Sequence, residues 1–80
     1  MTKKEIVLDC LIDDDECFTQ IIEYFNYSDA PIDSEELQNI LNEMLSEQLI
    51  TINKTWQNEH NEFPYSLTSR GREIWKMIED

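Results

Sequence analysis

The sequence predicts an α+β domain of three helices, a two-stranded β-hairpin and a closing helix. Apolar residues recur at helical spacing in three successive segments, as they do on the buried faces of amphipathic helices. At Leu49 the spacing of apolar residues changes from about 3.6 to about 2, the period of a half-buried strand. Because 80 residues allow one modest core, we expect residues 1–80 to form a single domain.

The first helix is predicted over KKEIVLDCLI, residues 3–12, with Ile6, Val7, Cys10 and Leu11 on one face. An acidic run from Asp13 to Glu16 follows it. We expect this run to begin the second helix, because carboxylates there accept hydrogen bonds from free amides and meet the positive end of the helix dipole. The run does not fit a calcium loop of the EF-hand type, which needs alternating acids and a glycine.

The second helix is predicted over ECFTQIIEYFNY, residues 16–27. Its core stripe consists of Cys17, Phe18, Ile21, Ile22 and Phe25. Since both cysteines of the chain lie on core stripes, we expect buried reduced thiols rather than a disulfide. A linker over residues 28–32 separates this helix from the next, because Pro31 disfavours helical backbone in the residue before it.

Asp33 opens the third helix, with Glu36 three residues later in a capping-box arrangement. The pattern continues to about residue 48. The predicted core stripe of this helix consists of Leu37, Ile40, Leu41, Met44 and Leu45.

Two alternating segments predict the hairpin. In the first, Ile50, Ile52 and Trp56 alternate with polar residues, and in the second, Phe63, Tyr65 and Leu67 do so. Polar residues 57–62 form the predicted connection. Pro64 has no amide donor, so it belongs on an edge strand or at the start of a strand.

The last helix is predicted over Ser69–Glu79. Thr68 is its expected N-cap, and Ile74, Trp75 and Ile78 are expected to face the core.

Charge is the most unusual property of the chain, with a formal net charge of −12. Between Glu5 and Asn53 there are 13 acids and no base. Such a surface repels phosphates and anionic membranes and favours a basic partner or simply solubility. With no signal-peptide pattern and no run of about 20 apolar residues, we expect a cytoplasmic protein without a membrane segment. The cations are Lys3, Lys4, Lys54, Arg70, Arg72 and Lys76.

The order of elements resembles that of a winged helix-turn-helix domain. MLSEQLI, residues 44–50, resembles the exit from a recognition helix into the wing. YSLTSRG, residues 65–71, resembles the L-T-x-x-G junction that closes the wing in regulators of the MarR and PadR types. The glycine that usually precedes the Leu-Ile pair is replaced by Gln48, so we expect a less sharp hinge.

In that family the third helix enters the DNA major groove and the tip of the wing touches the backbone or minor groove. The resemblance implies that these roles fall on the outward face of the third helix and on the wing tip. The first set is Glu35, Glu36, Asn39, Asn42, Glu43, Ser46 and Glu47, and the second is Gln57, Asn58, Glu59, His60, Asn61 and Glu62.

The charge of this face opposes ordinary DNA binding, because lysines and arginines supply most of the non-specific affinity for phosphates. Asn39 and Asn42 could read adenine edges, but base contacts alone do not position a protein on DNA. We therefore expect a protein-binding module that docks a basic protein partner, such as a toxin or a regulator, in the manner of an immunity or inhibitor protein. Nucleic acid is not expected on the third helix. The expected partner-binding residues are Glu35, Glu36, Asn39, Asn42, Glu43, Glu47, Glu59 and Glu62.

Tyr27 and Trp56 are candidate aromatic anchors for such a partner, since aromatic side chains often dominate the energy of an interface.

Catalysis and cofactors are not expected. His60 is the lone histidine and lies in a polar loop, a single glycine cannot build a phosphate loop, and no metal-ligand spacing is present.

The alternative interpretation is a DNA-binding transcriptional regulator of winged-helix type that uses the six cations. The terminal helices, with Trp75 and Met77, would be able to form a dimer. The positions of the cations in space distinguish the two interpretations.

Overall fold

The computed structural model describes residues 1–79, which form four helices and two strands. Their order confirms the predicted α+β class: three helices, a hairpin and a closing helix. No helix in these residues is long and apolar enough to cross a membrane. The elements are α1 Lys3–Leu11, α2 Phe18–Tyr27, α3 Ser34–Ser46, β1 Ile50–Ile52, β2 Tyr65–Leu67 and α4 Ser69–Glu79.

One hydrophobic core joins these elements. The stripes predicted for the first three helices are buried or, at Phe18, Ile22, Ile40 and Leu45, partly buried. Phe25, Leu37 and Leu41 have no exposed surface at all. The residues predicted to face inward from α4, Ile74, Trp75 and Ile78, are partly buried and pack against this core. Cys10 and Cys17 are buried free thiols, as predicted.

Asp9 connects three helices within the core region. One oxygen of its carboxylate accepts a hydrogen bond from the Tyr24 hydroxyl at 2.5 Å, and the other accepts one from the Trp75 indole at 3.3 Å. The bond to Asp9 and burial raise the pKa of Tyr24 to about 12. This carboxylate therefore holds α2 and α4 against α1.

The start of α2 differs from the prediction. The helix begins at Phe18 with Cys17 as its N-cap, and the acidic run does not cap it. Instead, Glu16 forms an antiparallel bridge with Tyr65, with N–O distances of 2.8 and 3.2 Å. An acid does meet the α2 N-terminus, but it is Glu62, whose carboxylate accepts a hydrogen bond from the Thr19 amide at 3.3 Å.

The N-caps of α1 and α3 come from adjacent sequence. Thr2 and Glu5 form a reciprocal capping box on α1, which the sequence analysis did not identify. On α3, Asp33 accepts a hydrogen bond from the Glu36 amide at 2.8 Å, as predicted. The Glu36 carboxylate does not complete this box, because it pairs with a lysine of α1.

The hairpin, which we call the wing, has shorter strands than predicted. Ile50 pairs with Leu67 and Ile52 with Tyr65. The first strand ends at Ile52 because the Asn53 side chain accepts hydrogen bonds from Thr55, an Asx turn that bends the chain. The connection, here called the wing loop, therefore runs over residues 53–64 instead of 57–62, and Pro64 stands just before β2.

The hinge between α3 and β1 has Gln48 in place of the glycine of the family pattern. Gln48 adopts a left-handed conformation with φ of 61°. The Leu49 amide bonds to the Met44 carbonyl at 3.0 Å and the Gln48 amide to the Leu45 carbonyl at 3.1 Å, which is a Schellman motif. Gln48 thus adopts the left-handed conformation that a glycine would take there, and these hydrogen bonds offset the strain of a side chain at positive φ.

The junction between the wing and α4 closes on this hinge. Thr68 caps α4 as predicted, accepting a hydrogen bond from the Gly71 amide at 3.0 Å. Its hydroxyl also donates to the Gln48 carbonyl at 2.6 Å, and its amide donates to the Leu49 carbonyl at 3.1 Å. The segments MLSEQLI and YSLTSRG, which carry the resemblance to winged-helix regulators, thus contact each other directly.

Candidate nucleic-acid interface

The outward face of α3 is polar and accessible. Its residues are exposed apart from Glu36, which is half-buried. Gln38, which the sequence analysis did not include, is exposed as well, and its amide donates to the Asn42 side chain at 3.0 Å. Gln38 and Asn42 are i, i+4 neighbours, a spacing that could have identified the pair. We define this α3 face as Glu35, Glu36, Gln38, Asn39, Asn42, Glu43, Ser46 and Glu47.

Two lysines of α1 lie against the α3 face. Lys3 pairs with Glu36, with an Nζ–O distance of 2.7 Å. Lys4 pairs with both Glu43 and Glu47, at 2.8 and 3.0 Å. Three of the four glutamates on the face are therefore paired with cations that lie 33 to 43 residues earlier in the chain.

These pairs change the electrostatic character of the face. Two lysines against the four glutamates of the face leave a charge of −2 where these glutamates alone would carry −4. The hydrogen bonds that Lys4 donates to Glu43 and Glu47 raise the pKa of Lys4, so this ammonium stays charged. The paired side chains are between 35% and 57% exposed, which leaves both lysines accessible to a ligand in solution.

The base of the wing loop is fixed to the body of the domain. Glu62 is half-buried, and its carboxylate accepts hydrogen bonds from the Asn58 side chain at 2.8 Å and the Thr19 amide at 3.3 Å. Burial acts to raise the pKa of Glu62, but these hydrogen bonds outweigh it and lower the pKa. Glu62 is thus placed as a structural anchor of the loop, away from the exposed tip where it was expected.

The exposed tip of the wing loop consists of Gln57, Glu59, His60 and Asn61. Glu59 is 3.6 Å from His60, and its side chain is 82% exposed. Among the described side chains, no hydrogen bond or ion pair joins Glu59 to the α3 face, whereas Glu62 lines a cleft together with Gln38 of that face.

The remaining cations lie on the wing loop and α4. Lys54, Arg70 and Arg72 are exposed, and no described carboxylate lies within 4.0 Å of them. Arg70 borders a shallow cleft with Gln48 and Thr51, at the carboxyl end of α3. Two of the six cations, Lys3 and Lys4, thus contact the α3 face directly.

Of the aromatic residues singled out in the sequence, Tyr27 is 93% exposed and Trp56 is 45% exposed. Trp75 packs against the core, as predicted, and its indole donates a hydrogen bond to Asp9. Met77, the other residue named for a dimer, is 69% exposed.

Solved structures similar to this chain are winged-helix regulators. A PadR family transcription regulator from Clostridium difficile matches with a TM-score of 0.84 at 16% identity, over 96% of this chain and 82% of that one. Bacillus subtilis PadR in complex with operator DNA matches with a TM-score of 0.79 at 21% identity, over 95% and 44%. A PadR-like transcription factor from Bacteroides fragilis matches with a TM-score of 0.81 at 14% identity, over 95% and 75%.

No protein-family model matches the chain, and no curated protein matches it in sequence. At the identities of the structural matches, the likeness establishes the fold: the chain has the winged helix-turn-helix fold that its sequence resembles.

These matches contradict the expected protein-binding module. The similar structures are transcription regulators rather than enzymes, immunity proteins or inhibitors. One of them, Bacillus subtilis PadR, was solved in complex with operator DNA. They favour the alternative interpretation, so the expected basic protein partner and the exclusion of nucleic acid are corrected. The error has a physical cause, because the glutamates of α3 were counted without Lys3 and Lys4, which the fold places against them.

Proposed function

We propose that the protein is a DNA-binding transcriptional regulator of winged-helix type that acts in the cytoplasm. The observation that carries this proposal is the likeness of nearly the whole chain to a regulator solved in complex with operator DNA. The accessible polar face of α3 supports it, since winged-helix domains use this helix for DNA.

Base contacts in this proposal come from the amides of the α3 face. Gln38, Asn39 and Asn42 are exposed, and Gln and Asn side chains pair with the N6 and N7 atoms of adenine in the major groove. We therefore propose that the operator contains A·T pairs where α3 enters the groove.

Phosphate contacts come from Lys3 and Lys4 beside α3 and from Lys54, Arg70 and Arg72, which are exposed and have no carboxylate within 4.0 Å among the described side chains. Phosphate contacts position a protein on DNA, while base contacts select the sequence. Because the chain carries a net charge of −12, its non-specific attraction to DNA is weak and base contacts decide where it binds.

The proposal is tested by incubating the purified protein with fragments of its host genome at about 0.1 M salt and sequencing the retained fragments. We expect a small set of fragments with a shared A·T-containing motif. Retention of no fragment above the level of a blank resin would overturn the proposed function.

A matched pair of variants then tests the α3 face. Asn42→Ala should weaken operator binding by about 1–3 kcal/mol, the usual value of a bidentate base contact. Asn26→Ala, at an exposed asparagine on α2, is the control and should leave the Kd unchanged. Fluorescence anisotropy measures the Kd of each variant for the operator. If both substitutions change this Kd equally, Asn42 has no role in base recognition.

A further inference from the structure

In the free protein, carboxylates of α3 and its C-cap already balance the positive charges of Lys3 and Lys4. Lys4 lies between Glu43 and Glu47, and Lys3 bonds to Glu36, all at distances of 3.0 Å or less. A phosphate that approaches either lysine must therefore compete with a carboxylate of the protein itself.

We propose that Glu36, Glu43 and Glu47 determine the selectivity of DNA binding by competing with phosphates for Lys3 and Lys4. This inference rests on the proposed function. The competition removes the phosphate attraction that these lysines would give to any duplex. DNA is then retained only where base contacts with the α3 face add to the binding energy.

Stability alone does not account for the arrangement. Exposed ion pairs contribute only about 0–1 kcal/mol to folding. Glu43 and Glu47 are like charges at i, i+4 spacing, which by itself destabilises a helix. Their common bond to Lys4 raises the pKa of that ammonium, so the lysine remains a charged group for which carboxylate and phosphate compete.

The geometry also explains how a strongly acidic chain could use this helix for DNA. Free lysines on the face would bind any duplex, because each phosphate contact releases a counterion whatever the base sequence. With the lysines held by carboxylates, the affinity for every duplex falls, so only DNA that also offers base contacts to the α3 face is retained. Glu36, Glu43 and Glu47 are thus selectivity residues that need not touch a base.

The test compares two variants that remove the same amount of charge. Glu43→Gln with Glu47→Gln releases Lys4, whereas Asp14→Asn with Glu23→Gln removes two exposed carboxylates outside the α3 face that have no cation within 4.0 Å among the described side chains. The measured quantity is the Kd for a random fluorescent duplex between about 0.05 and 0.2 M salt.

We expect the first variant to bind the random duplex about tenfold more tightly than the second at the lowest salt. Its plot of log K against log salt should be steeper by about one, the value for one additional phosphate contact. Adding Lys4→Gln to the first variant should remove both gains. Equal affinities and slopes for the two variants would overturn the inference.

Circular dichroism shows whether each variant is folded. If the glutamine variant is not, Glu43→Asp with Glu47→Asp keeps the charge and shortens the reach towards Lys4, and it should show a smaller gain in the same direction. No gain in the aspartate variant would overturn the inference too. The random duplex requires no operator, so a gain here without genomic selection by the unmodified protein would overturn the proposed function and not the competition.

Discussion

Gly71 packs directly against the carbonyl oxygen of Leu49, and a Cβ at position 71 would lie 2.2 Å from that oxygen. The same oxygen accepts the Thr68 amide, so the carbonyl cannot move away without losing a hydrogen bond. The glycine of the L-T-x-x-G junction is therefore required because α4 begins against the α3–β1 hinge.

Gly71→Ala should destabilise the domain by about 1–3 kcal/mol, the usual cost of overpacking, despite the better helix propensity of alanine. Urea midpoints measure the change. Ser69→Ala, at an exposed position in the same helical turn, is the control. A Gly71→Ala variant as stable as this control would show that the contact relaxes without cost.

Gln48→Gly should have the opposite effect. Gln48 has a φ of 61°, where a side chain is strained, so glycine should stabilise the domain by about 0.5–1 kcal/mol. Gln38→Gly, at an exposed position inside α3, should destabilise it by about 1 kcal/mol. The hinge account fails if both glycine variants lower the thermal midpoint.

Leu41→Ala should cost about 2–5 kcal/mol, because Leu41 is fully buried at the centre of the α3 stripe. Asn42→Ala, one position along and exposed, should change stability by less than about 0.5 kcal/mol. The reverse order of urea midpoints would contradict the facing of α3.

Added salt should raise the thermal midpoint of the domain. A net charge of −12 on so small a chain gives repulsion that ions screen over a Debye length of about 8–10 Å. Salt also weakens the lysine pairs beside α3, but exposed pairs contribute little. Melts at about 0.02 and 0.5 M sodium chloride measure the balance, and a lower midpoint at the higher concentration would refute the charge argument.

Acid should remove a stabilising contribution of Glu62. Its pKa in the folded protein is lowered below the ordinary value, so this contribution is present above that ordinary value and is lost as the pH falls through the folded pKa. Glu62→Gln should therefore be less stable than the unmodified protein at about pH 7, with a smaller difference at about pH 3.

The control for this acid-dependent loss is Glu59→Gln, at the exposed tip of the same loop. The difference in urea midpoint between Glu59→Gln and the unmodified protein should be the same at about pH 7 and about pH 3. A Glu62→Gln difference independent of pH would rule out the ionic contribution.

Local sequence signals predicted the parts of the fold that depend on neighbouring residues. The α3 stripe follows from helical spacing, and Asp33 and Thr68 were recognisable as caps because each bonds to an amide three residues later. The start of α2 was not predictable in this way, since its anion is Glu62, which approaches Thr19 from the wing loop.

The candidate site was harder to predict for the same reason. The core stripe of α3 predicted that the opposite face of the helix is exposed. It could not predict the net charge of that face, because Lys3 and Lys4 reach the face from α1. A count of charges along one segment cannot include a cation that tertiary packing supplies from another.

The carboxylate of Asp9 has a consequence for how the protein is made. It accepts a hydrogen bond from Trp75, 66 residues later, and β2 is needed to pair with both Ile50 and Glu16. A nascent chain emerging from the ribosome therefore leaves the part of α1 that packs against α4 uncovered until α4 has been synthesised. Chains cut short by stalled translation before that point would stay open to proteases, and only finished copies would accumulate in the cell.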